Sequence, residues 1–140
     1  MFMKIVSLKI ICFILFIPFT NRMMAQTALP ESIVQKNLDC YNNRDLEGFM
    51  SYFADSISLV NFSDQKIVAK GKEEIKALYK GLFESSPTLH STILKRMVLG
   101  NKVIDHESIV GRKGSADTLE IVLIYEVEGG KIIKMTTVRK

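Results

Sequence analysis

Beyond Pro87 the chain takes on the period-two character of β-structure, and this more than anything else limits what it can become. Leu89–Leu99, Lys102–Arg112, Asp117–Glu128 and Lys131–Val138 read as four long strands. Gly100-Asn101, Gly114-Ser115 and Gly129-Gly130 separate them, and glycine there supplies the backbone angles of a hairpin. Connections so short join only antiparallel neighbours, so the spacing predicts a meander. Such a sheet must bury one face against something else.

The first half of the chain supplies the cover. Leu29-Pro30-Glu31-Ser32 opens a helix, with proline at its start and an early acid facing the helix dipole. Ile33, Val34, Asn37, Leu38 and Tyr41 then recur at helical spacing. Asp45 is placed to cap a second helix running to Tyr52, with Leu46, Phe49, Met50 and Phe53 as its buried stripe. Ile57–Phe62 and Lys66–Val68 flank the turn Ser63-Asp64-Gln65 and read as a short hairpin. Gly71 precedes a third helix from Lys72 to about Phe83, with Ile75, Leu78, Tyr79 and Leu82 on one side. The expected fold class is α+β: three N-terminal helices packed on a curved antiparallel sheet of four long strands, plus a short hairpin.

Residues 1–25 are expected to stand apart from this domain, which then comprises 26–140. Lys4 and Lys9 precede an unbroken apolar run from Ile10 to Phe19, and a small polar tail leads to Ala25-Gln26, a candidate cleavage point. That is the layout of a secretory signal. Spanning a bilayer needs about 20 apolar residues, twice what is present. The expectation is export to the periplasm or beyond, with membrane contact only through an uncleaved signal. Lys4, Lys9 and Arg22 supply three of the 19 basic residues, and residues 1–25 hold no acid. The remainder carries 16 basic against 15 acidic residues. No basic stripe is left to follow phosphates, so nucleic acid is not an expected partner. Cys40 is then the one remaining cysteine, placed among core positions, and an intrachain disulfide is excluded.

Tyr41-Asn42-Asn43-Arg44-Asp45-Leu46-Glu47-Gly48 leading into Tyr52-Phe53-Ala54-Asp55, Gly71-Lys72-Glu73-Glu74-Ile75, Leu99–Glu107 and Tyr125–Ile133 together resemble the SnoaL-like proteins of the nuclear transport factor 2-like superfamily, to which ketosteroid isomerases also belong. The resemblance runs from about Ile33 to Val138 and implies a sheet that wraps the helices into an open-ended cone with one pocket. The superfamily hosts several chemistries and non-catalytic association domains, so its fold does not select an activity. Ketosteroid isomerases use a carboxylate base with a tyrosine and a protonated aspartic acid as oxyanion donors. Carried over by motif, the tyrosine position falls on Asn37, the base on Asn61 (or its neighbours Val60 and Phe62) and the aspartic acid on Leu123. Only a supporting tyrosine is kept, at Tyr79. Asparagine cannot shuttle a proton and leucine cannot donate one, so that mechanism is excluded.

A different polar set remains. Along Lys102–Arg112 the odd residues Val103, Asp105, Glu107 and Ile109 share one face, which the resemblance turns toward the pocket. Alternate strand residues lie roughly 6.6 Å apart, so Asp105 and Glu107 are expected as neighbours. On the preceding strand His90, Thr92, Leu94, Arg96 and Val98 are expected to share the inward face, bringing Arg96 toward Asp105. The functional reading makes Asp105 and Glu107 an acid–base pair, His90 a proton shuttle and Arg96 a clamp for a ligand's anionic group, with Asn37, Tyr41, Tyr79, Asn61 and Leu123 lining the pocket. The alternative is a buried Arg96–Asp105 ion pair with Glu107 and His90 satisfied around it. His106 points away from its neighbours on a strand, so Asp105-His106-Glu107 is not a metal site, and neither metal nor cofactor is expected.

Three functions stay open: a cofactor-free isomerase, lyase or hydrolase acting on a small, mostly apolar molecule; a periplasmic ligand-binding module without chemistry; and a dimeric association domain. Ile104, Val110, Val122 and Ile124 are expected on the outer face, an apolar patch that suits a homodimer.

Overall fold

Three helices and one sheet account for the secondary structure of the computed structural model, which describes residues 28–139. The expected signal segment, residues 1–25, lies outside the described residues. Helix α1 (Pro30–Asn43) begins with proline and ends where Arg44 adopts the left-handed conformation. The short helix α2 (Leu46–Ser51) is capped by Asp45, whose carboxylate accepts from the Gly48 amide at 3.0 Å. A Cβ on Gly48 would lie 2.1 Å from that carboxylate and 2.9 Å from Cys40 Sγ, so the cap requires glycine there. Strands β1 (Phe53–Asn61) and β2 (Ile67–Lys70) form a hairpin, followed by helix α3 (Lys72–Glu84). The long strands are β3 (His90–Leu99), β4 (Lys102–Val110), β5 (Leu119–Glu128) and β6 (Lys131–Arg139).

The sheet departs from the expected one in three respects. It is a single six-stranded sheet in the order β2-β1-β6-β5-β4-β3, so the hairpin is part of it. Strand β1 pairs with β6 in parallel, Leu59 opposite Met135, which makes the sheet mixed. That pairing joins residues more than seventy positions apart, and no local turn signals it. Thirdly, Gly114-Ser115 is no tight hairpin: β4 stops at Val110, and a wider connection with a 3-10 turn at Arg112–Gly114 leads to β5.

Helices α1 and α3 cover the inner face of the sheet, α1 against β3, β4 and β6, and α3 against β1 and β2, while α2 packs against both helices. Ile33, Val34, Phe49, Ile57, Ile75, Val103, Ile132 and Met135 are buried in the shared core. Tyr41, Phe49, Phe53, Tyr79 and Phe83 add an aromatic cluster with ring centroids 4.5–6.2 Å apart, mostly edge-to-face. On β4 the burial alternates, with Val103, Asp105, Glu107 and Ile109 inward. Cys40 is half-buried against the core.

A bulge in β3 overturns the expected parity of that strand. Ile93 pairs with Glu107 and Lys95 with His106, leaving Leu94 as the extra residue. Arg96 faces inward beyond the bulge, opposite Asp105, but before it the faces are exchanged. Ser91 is buried, while His90, Thr92 and Leu94 are exposed.

Candidate functional site

Between the helices and the curled sheet lies a cavity of about 750 Å³. Asn37, Leu38 and Tyr41 of α1, Phe49 of α2, and Leu78, Tyr79 and Leu82 of α3 form one wall. The sheet supplies Glu107, Ile109, Ile121, Leu123, Tyr125, Met135 and Thr137. Val68, Arg112, Lys113 and Arg139, which are exposed or half-buried, stand toward solvent. The lining is chiefly apolar, and Glu107 is its one carboxyl among the described residues.

Glu107 is 1% exposed. Its Oε2 accepts from Ser91 Oγ at 2.5 Å, and its Oε1 accepts from the Tyr125 hydroxyl at 3.5 Å. Burial pushes its carboxyl up to about 7; the Ser91 hydrogen bond pulls the other way, and the nearby charge of Asp105 pushes it further up. Burial and the Glu107 charge hold the Tyr41 and Tyr125 hydroxyls well above the ordinary range of a phenol. Burial first, then Tyr41 and Glu107, do the same for Tyr79. The deep end therefore holds one group able to exchange a proton near neutrality, among hydroxyls that stay protonated.

Asp105 occupies another place. It is fully buried and takes two hydrogen bonds from Arg96, Nε to Oδ1 at 2.7 Å and a terminal nitrogen to Oδ2 at 2.6 Å. The remaining terminal nitrogen of Arg96 donates to Gln35 at 2.8 Å. Hydrogen bonding to Asp105 raises the guanidinium pKa, overcoming the opposing effect of partial burial. Neither side chain lines the cavity. The paired arrangement is thus the one adopted by Arg96 and Asp105, and the expectation that Arg96 meets a ligand's anion is corrected: each of its three nitrogens already donates within the fold, and the side chain lies outside the cavity lining.

The other expected residues divide. Asn37, Tyr41, Tyr79 and Leu123 line the cavity, and the amide of Asn37 donates to the Phe49 carbonyl at 3.0 Å. His90 does not reach it, since the bulge leaves it on the exposed face. Asn61 borders only a small adjoining recess, where its amide donates to Ser63 Oγ and Asp64 Oδ1. His106 points to the outer face and meets Glu120 at 2.6 Å, away from Asp105 and Glu107. Ser91, Tyr125 and the three cations at the solvent end were not anticipated. The adjacent apolar pair Ile93-Leu94, which breaks the alternation of β3, is the available sign that Ser91 would turn inward.

A helix-lined cone of mixed sheet is the architecture of the nuclear transport factor 2-like class. Residues 34–135 match the SnoaL-like domain, and the chain belongs to that family. No curated protein is similar to it in sequence. Among solved structures it is similar to an uncharacterized cystatin-fold protein from Novosphingobium aromaticivorans, with a TM-score of 0.74 and 22% identity over 80% of this chain and 99% of that one. An NTF2-like protein of unknown function from Cytophaga hutchinsonii gives 0.67 at 14% identity, covering 82% and 94% of the two chains. A hypothetical protein with a ketosteroid isomerase-like fold from Catenulispora acidiphila, in complex with trimethylamine, gives 0.67 at 18% identity over 81% and 88%. These likenesses are of fold.

Proposed function

We propose that the cavity takes a small, mostly apolar molecule and that Glu107 acts on it as a cofactor-free general acid–base, in isomerisation, elimination or hydrolysis. The observation that carries this reading is a buried carboxyl, the one acid among the described lining residues, on the inner wall of an apolar cavity that pushes it up to about 7. As carboxylate it accepts a proton from the substrate, and as carboxyl it returns one to another substrate atom; a pKa near the working pH serves both steps. Asp105 acts through Glu107, its charge helping to hold that carboxyl high. The complex of a structural relative with trimethylamine supports a small organic occupant. Export directed by residues 1–25, and a homodimer formed through the outer face of the sheet, belong to the same proposal.

A panel of apolar ketones and esters incubated in D2O and followed by NMR tests the chemistry through deuterium uptake or product formation. Glu107→Gln is expected to lower the rate about 10²–10⁴-fold with binding retained; an unchanged rate removes Glu107 from the reaction. The second reading, binding without turnover, is favoured by Asn37 and Leu123, which stand in the lining where ketosteroid isomerases place ionisable groups. Ligands recovered intact after long incubation would support it.

A further inference from the structure

Arg112, Lys113 and Arg139 all line the cavity at its solvent end, and none of their side chains makes an ion pair or hydrogen bond with another described residue. Elsewhere most cations have partners: Lys72 with Asp55, Lys76 with Glu47, and Lys102 and Lys134 with Glu126. The segment carrying Arg112 is also held in place. Buried Ser86 accepts from the Lys113 amide at 2.8 Å, and Gly111 lies so close to Thr88 that a Cβ would come within 2.2 Å of its carbonyl oxygen. Arg139 reaches the same end from β6, on the inward face shared with Met135 and Thr137 and opposite Ile121. Burial raises the Tyr79 hydroxyl, and Arg112 and Arg139 oppose that rise, so the field of both extends into the cavity.

We infer that the occupant is an amphiphilic monocarboxylate, its apolar body inside the cone and its carboxylate held at the solvent end by Arg112 and Arg139, with Lys113 beside them. Guanidinium forks suit a carboxylate, and unpaired cations beside a low-dielectric lining select for an anion over a neutral molecule of the same shape. Arg139 stands opposite Ile121 and Ile121 opposite Glu107, so the anion would be held on the same row of the sheet as Glu107, two strands away from it. This deepens the proposed function and rests on its reading of the cavity as a small-molecule site.

Calorimetric titration of the protein with decanoate and with decanol separates the two ideas. Decanoate is expected to bind at least tenfold more tightly than decanol, with an affinity that falls as salt rises. Arg112→Gln and Arg139→Gln are each expected to weaken decanoate about tenfold and leave decanol unchanged, while Lys95→Gln on the exposed side of β3 changes neither. Equal affinity for acid and alcohol, or variants that weaken both alike, overturns the carboxylate assignment and leaves the cavity as a site for neutral ligands. Binding of neither probe overturns both that assignment and the small-molecule reading.

Discussion

Glu107 is a folding liability as well as a candidate catalyst, and the two roles share a physical cause. Removal from water favours its neutral form, so the folded chain keeps this proton up to about pH 7 while an unfolded glutamate loses it near 4.5. Between those values the folded state binds more protons, and stability falls as pH rises. Below that window the contribution is fully present; above about 7 it is gone. The shift corresponds to roughly 3 kcal/mol at most. Urea midpoints measured from pH 4 to 8 should therefore decline across that interval, and Glu107→Gln should flatten the decline and exceed the parent in stability above pH 7. Parallel curves for the two proteins would show that Glu107 is not held high. Ser91 tunes the same group in the opposite direction, since its hydroxyl stabilises the carboxylate. Ser91→Ala is expected to move the Glu107 titration, followed by carboxyl 13C shifts, above its parent value. A value unchanged or lowered would remove Ser91 from the site.

Ser91 owes its position to two elements that meet at the sheet's edge. Strand β3 is the last in the sheet, and its outer backbone at this point pairs with a side chain instead of another strand. The Asn42 amide donates to the Ser91 carbonyl at 2.9 Å, and its oxygen accepts from the Ser91 amide at 2.8 Å. Arg44 adds a bond from its guanidinium to the Leu89 carbonyl at 3.0 Å. Asn42→Ala leaves two backbone groups of a buried residue unpaired and should cost about 1–3 kcal/mol in chemical denaturation. It should also raise the Glu107 titration through the loosened Ser91; a loss of stability without that rise would confine Asn42 to a structural role. The helices and the tight turns after Leu99 and Glu128 could be read from the sequence because each depends on neighbours a few residues apart, whereas Phe53, expected on the second helix, opens β1, a strand four residues earlier than its apolar run suggested. The inward face of β4 followed from period two together with the family resemblance. The bulge at Leu94 could not be read the same way, because one unpaired residue is defined only against its partner strand. That single insertion sends His90 outward and Ser91 inward, so the histidine expected at the site was lost and its serine overlooked.

At the scale of the molecule, the parallel pairing of β1 with β6 extends the sheet into one continuous wall, and its outer face carries an apolar stripe. Met97, Ile104, Ile124, Thr136 and Val60 follow one another across five strands in register. On one side the stripe is bounded by Glu126 with Lys102 and Lys134, and on the other by the row Lys95, His106, Val122 and Val138, whose His106 meets Glu120 of the row beyond. Met97 is exposed, Ile104 and Ile124 are half-buried, and Thr136 and Val60 are buried among their neighbours, so the accessible part of the stripe lies on β3, β4 and β5, with no described helix packed over it. An apolar band with charged groups at its margins is self-complementary when two copies meet across a two-fold axis, each stripe covering the other. The proposed homodimer uses this surface, opposite the cavity, so assembly and ligand binding are separable. Sedimentation velocity at micromolar concentration is expected to show a dimer. Placing lysines at the adjoining pair, Ile104→Lys with Ile124→Lys, should give a monomer that keeps its helical and strand content by circular dichroism and the parent's preference for decanoate. A parent chain that sediments as a monomer would remove the dimer, and a double variant that remains dimeric would move the interface to another face. A monomeric variant that also lost the cavity's ligand would show that the two faces of the sheet are coupled, because lysines on the convex side touch nothing in the lining and could reach it only through the strands between.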